Sequence, residues 1–484
     1  MRRYVLLLLM MCSVVQLTLA QGVTLSLDSC LALALRDNKE IDIAGMQQEV
    51  AHYNRREAFT MYLPHVEATG VYMRSGREIS LLSDEQKQAM QNMGTTLGTT
   101  LQGMAMQNPQ LGQLLQSMGG LPEGLIPSLN AAGTGIADAF HTDTRNVTAA
   151  ALSLNQPLYM GGKIMAYNKI TRYAEQIAQA QKDQKTQELV VAVETAYWQI
   201  VALESKRKLA ESYKSLIDTL DYNVQQLISE GATSKADGLS VKVKRNEADV
   251  TLIQIDNGLA LSRMLLCQLC GIDVNTELHP ADSDLEALEN DRLTVSPAQA
   301  LDFSARPELQ ALDLLALIGK EKVKVTRADY LPKVALTANY LWTNPSLFNG
   351  FEKKMKGTWA AGVMVNIPLI DWGEGYYKVR ASKVQARMAQ ATLDNTREKI
   401  ELQATQCAQK LVEATSREET ARRSMAVAEE NLRCANVGLQ EGVMPVSTVI
   451  EAQTGWLSAH STLIESRIDK RLAEVNLKRA LGTL

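Results

Sequence analysis

One self-similarity constrains this chain more than any other feature. Tyr62-Leu63-Pro64-His65-Val66, leading to Gly70 and Tyr72, recurs as Tyr330-Leu331-Pro332-Lys333-Val334, leading to Ala338 and Tyr340, 268 positions later. Asn155-Gln156-Pro157-Leu158 with Gly162 recurs as Asn366-Ile367-Pro368-Leu369 with Gly373, and Glu230-Gly231 as Glu441-Gly442, both 211 positions later. Two offsets mean a duplicated unit whose first copy carries an insertion, and 268 minus 211 gives its length as 57 residues. The extra residues lie between Met73 and Asn146.

Each copy runs through the same succession of patterns. A helix-like segment ends before a Leu-Pro, because proline restricts the residue before it and donates nothing to a helical ladder. Two alternating segments follow, then a very long helix, a tight turn and a shorter helix. In the second copy Val334, Leu336, Ala338, Tyr340 and Trp342 fall on one side of a strand and Lys333, Ala335, Thr337 and Asn339 on the other. The returning strand sets Trp359, Ala361, Val363, Val365 and Ile367 against Ala360, Gly362, Met364 and Asn366. Alternation over about ten residues with aromatics near the ends suits a tilted strand crossing an outer membrane. A hairpin half-buried in a soluble domain is the alternative. The first copy gives weaker equivalents at Val66 to Met73 and Asn146 to Gln156.

The long helices carry the clearest periodicity. From Glu374 to Gln440 there is no proline, and Ile400, Ala404, Cys407, Leu411, Ala414, Glu418, Ala421, Met425, Ala428, Leu432, Ala435 and Leu439 step by alternating four and three. All are apolar or small except Glu418. Subtracting 211 gives a matching seam from Leu189 to Ile228, broken only by Arg207, Lys214 and Asp221. A 3.5-residue repeat is a coiled-coil seam, and its alanines allow close helix approach. A helix over Lys163 to Ser229 spans ~100 Å, and the segments Thr24 to Thr60 and Thr233 to Cys270 only ~55 Å each. Two short helices end to end therefore match one long one. The second copy repeats this with Glu374 to Gln440 against Ser296 to Ala328 plus Val446 to Leu481.

Arg2, Arg3, the apolar run Tyr4 to Val15 and Thr18-Leu19-Ala20 read as a signal peptide over residues 1–20. Bulky Met10 and Met11 disfavour lipidation at Cys12. Removing the two arginines takes the formal charge from −4 to −6, which gives no reason to expect a nucleic-acid partner. No later apolar run approaches the ~18 residues of a spanning helix, so any membrane crossing must use strands. Cys30, Cys267, Cys270, Cys407 and Cys434 make a poor disulfide framework, and Cys267 and Cys270, despite their redox spacing, read as small buried thiols.

Four strands cannot close a barrel, so other copies must supply the missing neighbours, in a total that is a multiple of four. The order of elements, the Leu-Pro repeats before the strands, the Asn-x-Pro-Leu repeats after them and the closing Ala480-Leu481-Gly482-Thr483-Leu484 resemble the TolC-like outer-membrane efflux proteins. The resemblance covers nearly the whole mature chain except the insert. It implies a mainly α, α+β fold: a homotrimer with four strands per subunit in one membrane β-barrel, continuous with a long coiled-coil helical barrel in the periplasm. The first repeat is residues 21–270, an acidic equatorial linker 271–296 and the second repeat 297–484. The implied function is a passive outer-membrane exit duct of a tripartite efflux or type I secretion system. A periplasmic adaptor opens it and an inner-membrane transporter of RND or ABC type drives it. The implied partners are thus further copies of the chain, adaptor, transporter and outer-membrane lipid.

The turns at Gly231 and Gly442 would end the tube in the periplasm. A glycine there is first a structural stop. By resemblance, Gly231, Ala232, Thr233, Gly442 and Val443 are adaptor-docking tips, and Asp237, Leu439, Met444, Thr448 and Glu451 border the aperture. Met444, Leu439, Thr448 and Glu451 stand where better-known relatives have arginine, tyrosine and two aspartates, so Asp237 lacks its expected partners. Glu451, repeated around the axis, is the candidate acidic constriction. A solvated helix-face glutamate is the alternative.

The insert, residues 74–145, reads as a partly helical outward-facing lid. Its Met90, Met93, Met104, Met106 and Met118 are flexible filler in preference to Cu(I) ligands. His52, His65, His141, His279 and His460 show no metal-ligand spacing, and no phosphate loop or nucleophile motif appears, so neither an enzyme nor a cofactor is expected. The rival class is a soluble periplasmic coiled-coil adaptor or scaffold, which explains the heptads and leaves the duplicated strand pairs idle.

Overall fold

The computed structural model describes residues 23–76, 82–117, 120–140, 145–281, 303, 305–346 and 354–484. The signal segment, residues 282–296 of the linker and Met118 lie outside them. The chain divides into two compact units.

The helical unit comprises 1–56, 168–323 and 380–484. It begins with strand β1 (Val23–Leu25) and helices α1 (Leu27–Asp37) and α2 (Lys39–Thr60). The expected single helix from Thr24 is thus a strand and two helices. Ser26 caps α1 through its side chain, and Asn38, at φ −75° and ψ 124°, interrupts the helical path. Asn38 leaves the helix because its side chain is engaged on both sides: Nδ2 donates to the Leu269 carbonyl at 2.9 Å and Oδ1 accepts from Glu40 N at 2.8 Å.

In the other unit (57–167 and 324–379) come β2 (His65–Arg74), the insert helices α3 (Asp84–Gln91), α4 (Met93–Gln107), α5 (Pro109–Ser117) and α6 (Leu125–Ala139), and β3 (Asn146–Met160). The insert is therefore largely helical, despite its glycines. Gly94 and Gly98 let α4 lie against Ile126 of α6, and Gly133 lets α6 touch the Met90 backbone: an added Cβ would meet Ile126 O at 2.3 Å and Met90 O at 1.8 Å. Asn130 fixes the pairing by accepting from Gly94 N at 2.7 Å.

Helix α7 (Lys163–Ser229) runs for 67 residues, followed by α8 (Lys235–Leu269) and β4 (Leu278–Pro280). The second copy gives α9 (Pro307–Ala328), β5 (Lys333–Asn344), β6 (Lys356–Asn366), the 67-residue α10 (Glu374–Gln440) and α11 (Val446–Leu481). Both long helices and α11 have the bounds their periodicity predicts. Helix α9 begins at Pro307, where proline suits a first helical position because its missing N–H would be unpaired anyway, and Ser296, the expected start, lies outside the described residues.

The helical unit holds two main apolar cores. One gathers Cys30, Val193, Tyr197, Ile200, Leu266 and Leu278 around the parallel β1–β4 pair. The other lies near the turns, where Ile217, Val224 and Val241 of the first hairpin pack with Leu432, Val446 and Val449 of the second. The seam alanines and branched residues are what these cores bury.

Candidate channel wall and periplasmic tips

In the second unit the described strands form one antiparallel sheet in the order β2-β3-β5-β6. The two hairpins are joined through β3 and β5, with Leu154 opposite Ala338 and Leu152 opposite Tyr340. Register then decides which residues share a face. Val66, Ala68, Gly70 and Tyr72 line up with Leu154, Leu152, Ala150 and Thr148, these with Ala338, Tyr340 and Trp342, and those with Ala361 and Trp359. One face is thus almost wholly apolar. The other mixes polar Glu67, Thr69, Ser153, Thr337 and Asn339 and small Ala151, Ala360 and Gly362 with the apolar Val71, Leu341 and Met364. An apolar outside and a polar inside are what a lipid-embedded, water-filled barrel requires.

Aromatic side chains gather at one end of the apolar face. Tyr340 and Trp342 stack with ring centroids 4.2 Å apart, and Trp359, opposite Tyr340, is 73% exposed. Gly357 makes room for them, since a Cβ there would meet Tyr340 Cε1 at 2.5 Å. Amphipathic rings suit the depth where hydrocarbon gives way to headgroups. A twelve-residue strand such as β5 reaches about 40 Å, enough for the apolar band when tilted. Strands β2 and β6 have one edge each without a strand partner among the described residues, and every residue of β2 is exposed.

Sequence reasoning missed Trp372. It lies after β6, 94% exposed, with a left-handed φ of +50°. The residue 211 positions earlier, Gly161, has φ +63°. Asp371 holds the turn by accepting from Gly373 N at 3.2 Å and Gly375 N at 2.9 Å. An indole in a glycine conformation costs on the order of 1–2 kcal/mol. The signal available was Asp371-Trp372-Gly373 standing where the first copy has Met160-Gly161-Gly162.

The two helix turns of the other unit are built alike. Gly231 N donates to Ile228 O at 3.1 Å and Ala232 N to Leu227 O at 2.8 Å; Gly442 N donates to Leu439 O at 3.1 Å and Val443 N to Gly438 O at 2.9 Å. Both glycines have φ near +70°, so each long helix ends in the same left-handed closing motif. Gly231, Ala232, Gly442 and Val443 are exposed, and Thr233 is half-buried.

The entries into the next helices differ. Ser234 and Asp237 form a capping box: Asp237 Oδ2 accepts from Ser234 Oγ at 2.6 Å, Thr233 Oγ1 at 2.8 Å and Ser234 N at 3.2 Å. These bonds hold the Asp237 carboxyl below the usual carboxylate range. At the equivalent positions stand Pro445, with no side chain to cap, and Thr448, whose N–H donates to Pro445 O at 3.1 Å. Asp237 therefore finds its partners within its own turn.

Leu439 packs on the core between the hairpins, as does its equivalent Ile228. Met444 folds back over Gly438, where a Cβ would meet its Cγ at 2.7 Å. Glu451 is exposed beside the inward-facing Ile450 and Ala452 and has no ion-pair partner among the described residues. No helix among the described residues is long and apolar enough to cross a membrane.

A sequence model of the family described as Outer membrane efflux protein matches residues 122–271 and 301–483. The chain belongs to the outer membrane efflux protein family. It is 24% identical over 376 residues to the probable efflux pump outer membrane protein TtgC of Pseudomonas putida, covering 74% of this chain and 75% of that one. Over 253 residues it is 24% identical to the alkaline protease secretion protein AprF of Pseudomonas aeruginosa, covering 51% of each. Its fold is that of the outer membrane protein VceC of Vibrio cholerae (TM-score 0.71, 14% identity, 94% of this chain and 96% of that one). The Campylobacter jejuni CmeC channel is also similar (TM-score 0.70, 14% identity, 94% and 85%). Membership makes it an outer-membrane channel protein of efflux or secretion machinery, not an enzyme. The soluble-adaptor reading is thereby set aside.

Proposed function

We propose that three copies of the chain close their sheets into one twelve-strand barrel that serves as a passive exit duct, with the long helices forming its periplasmic wall. The observation that carries this is the sheet itself: four strands, one apolar face, and two edges that need partners. A row of unpaired backbone groups in lipid costs several kcal/mol per group. Because β2 and β6 are antiparallel ends of one ladder, β6 of one copy accepts β2 of the next in the same antiparallel sense. Eight strands would leave little lumen, which favours twelve.

In this reading a periplasmic adaptor docks on the exposed tips around Gly231 and Gly442, and an inner-membrane transporter of the RND or ABC type supplies the energy. Glu451, exposed and without an ion pair, lines the acidic constriction at the aperture. Asp237, occupied as a cap, Leu439, packed on the core, and Met444, exposed and folded back over Gly438, stand in place of a polar lock, with Thr448 beside them. The repeats are 21–270 and 297–484, with 271–296 between them.

Fractionation of membranes followed by electrophoresis of unheated samples tests the assembly. The duct predicts an outer-membrane band three times the subunit mass that collapses to the subunit on heating. A monomer in the soluble periplasmic fraction would refute it.

A further inference from the structure

Three of the five cysteines among the described residues meet in one core, and the duct has no use for them. Cys30, one turn into α1, Cys267, near the end of α8, and Cys270, its C-cap residue, are each fully buried. Cys270 Sγ donates to the Cys30 carbonyl oxygen at 3.6 Å, which sets the two residues side by side in the core. That contact lowers the Cys30 thiol and raises that of Cys270. Cys267 is differently placed: burial pushes its thiol up, and its Sγ donates to the Thr276 carbonyl at 3.5 Å. Of the redox-spaced pair, Cys270 thus turns to Cys30 and Cys267 to Thr276.

The repeat isolates this feature further. Position 298, 268 after Cys30, is Ala298, and 211 after Cys270 stands Leu481. The thiol pair belongs to the first copy alone. It shares its core with the β1–β4 pair, a ladder of three residue pairs at the start of the described chain.

We propose that Cys30 and Cys270 form a disulfide in the exported protein, closing the first repeat into a covalent ring. An outer-membrane protein passes through an oxidising compartment, where adjacent thiols become disulfides. The oxidant is a protein disulfide of the thiol–disulfide exchange class. One cysteine thiolate attacks it, giving a mixed disulfide and releasing one oxidant thiol. The second cysteine thiolate then attacks the mixed disulfide, the Cys30–Cys270 bond forms, and the second oxidant thiol leaves. Two S–H bonds and one S–S bond are exchanged for one S–S and two S–H, and both electrons end on the oxidant. Because both sulfurs are sealed in the folded core, exchange precedes closure of that core, and the finished bond is shielded from reductant. The ring spans 240 positions, a length at which cross-linking restricts the unfolded chain strongly.

The test uses the unaltered protein taken from the outer-membrane fraction, so failure of the membrane assignment shows separately, as absence of the band. The sample is acid-quenched, unfolded and tagged with a mass-shifting maleimide, with and without prior reductant. Expected without reductant are tags on Cys267, Cys407 and Cys434 only. Reductant adds Cys30 and Cys270, and mass spectrometry of the unreduced digest finds their two peptides linked. Tags on Cys30 and Cys270 without reductant, or a bond joining Cys267 to Cys270, overturn the proposal.

Discussion

Arg306 donates from Nη1 to the carbonyl oxygen of Ala480 at 3.4 Å, closing the end of α11 against the start of α9. The first copy makes the same closure with other atoms, Asn38 Nδ2 donating to Leu269 O at 2.9 Å. Both pairs obey the repeat, for 306 is 38 plus 268 and 480 is 269 plus 211. Gly271 and Gly482, each at φ +71°, follow, with an added Cβ at Gly271 meeting Asp37 O and one at Gly482 meeting Arg306 Cγ. An amide and a guanidinium thus solve one problem: two short helices must abut where a long one runs past, and the carbonyls at the junction need donors.

Replacing these donors should cost unequally. Arg306 is 3% exposed and also bonds Gln403 and Glu308. Arg306→Ala is expected to lose ~2–4 kcal/mol, because it strands buried acceptors and a carboxylate, and Asn38→Ala ~1–2 kcal/mol. Thermal melts of the detergent-solubilised protein decide; an Arg306 loss no larger than that of Asn38 would contradict the assignment.

Glu418, the one charged residue in the second seam, should tie stability to acid. Burial raises its carboxyl, but Lys470 at 2.8 Å, with Arg422 and Arg467, outweighs burial and holds it below the ordinary glutamate range. A depressed carboxyl contributes stability above its unfolded value of ~4.3 and loses it as pH falls through the folded value. Glu418→Gln is expected to cost ~2 kcal/mol at neutral pH and to show less further loss below pH ~4 than the parent. Parallel pH–stability curves for the two proteins would show the carboxylate to be inert.

The two faces of β6 should respond oppositely to charge. Val363 lies on the apolar face, opposite Leu336, and its neighbour Met364 on the other. Val363→Lys is expected to cost ~2–4 kcal/mol in the bilayer and to deplete the outer-membrane protein, whereas Met364→Lys is tolerated. Immunoblots of outer-membrane fractions read this directly, and equal depletion of both variants would place the lipid face wrongly.

Glu451→Gln tests the proposed constriction. Like charges crowded at an aperture favour cations, so the variant should lose cation selectivity and block by multivalent cations in single-channel recordings. Selectivity and block identical to the parent's would make Glu451 an ordinary solvated side chain.

Long-range periodicity made most of this fold legible. The seams through Ile400 and Leu189 and the prolines at 64 and 332 mark both long helices and all the described barrel strands, because each signal repeats many times along one element. The break at Asn38 and the β1–β4 ladder were not legible. Each depends on a partner more than two hundred residues away, Leu269 for Asn38 and Leu278 for Val23. The insert was only partly legible because Gly94, Gly98 and Gly133, poor helix formers by propensity, serve there as contact points between helices. At the tips the glycines were readable as helix stops, whereas the Ser234-x-x-Asp237 cap, though local chemistry, was passed over because Asp237 also fits an aperture position. What Glu451 faces depends on neighbouring copies.

The edges of β2 and β6, which no described strand covers, have a genetic consequence. In the proposed ring of three, each subunit donates one edge and receives another, so a chain with a spoiled edge breaks whichever ring it joins. Co-expressed in equal amounts with intact chains, it leaves about one ring in eight whole. Such an allele is dominant, and its dosage curve counts the subunits.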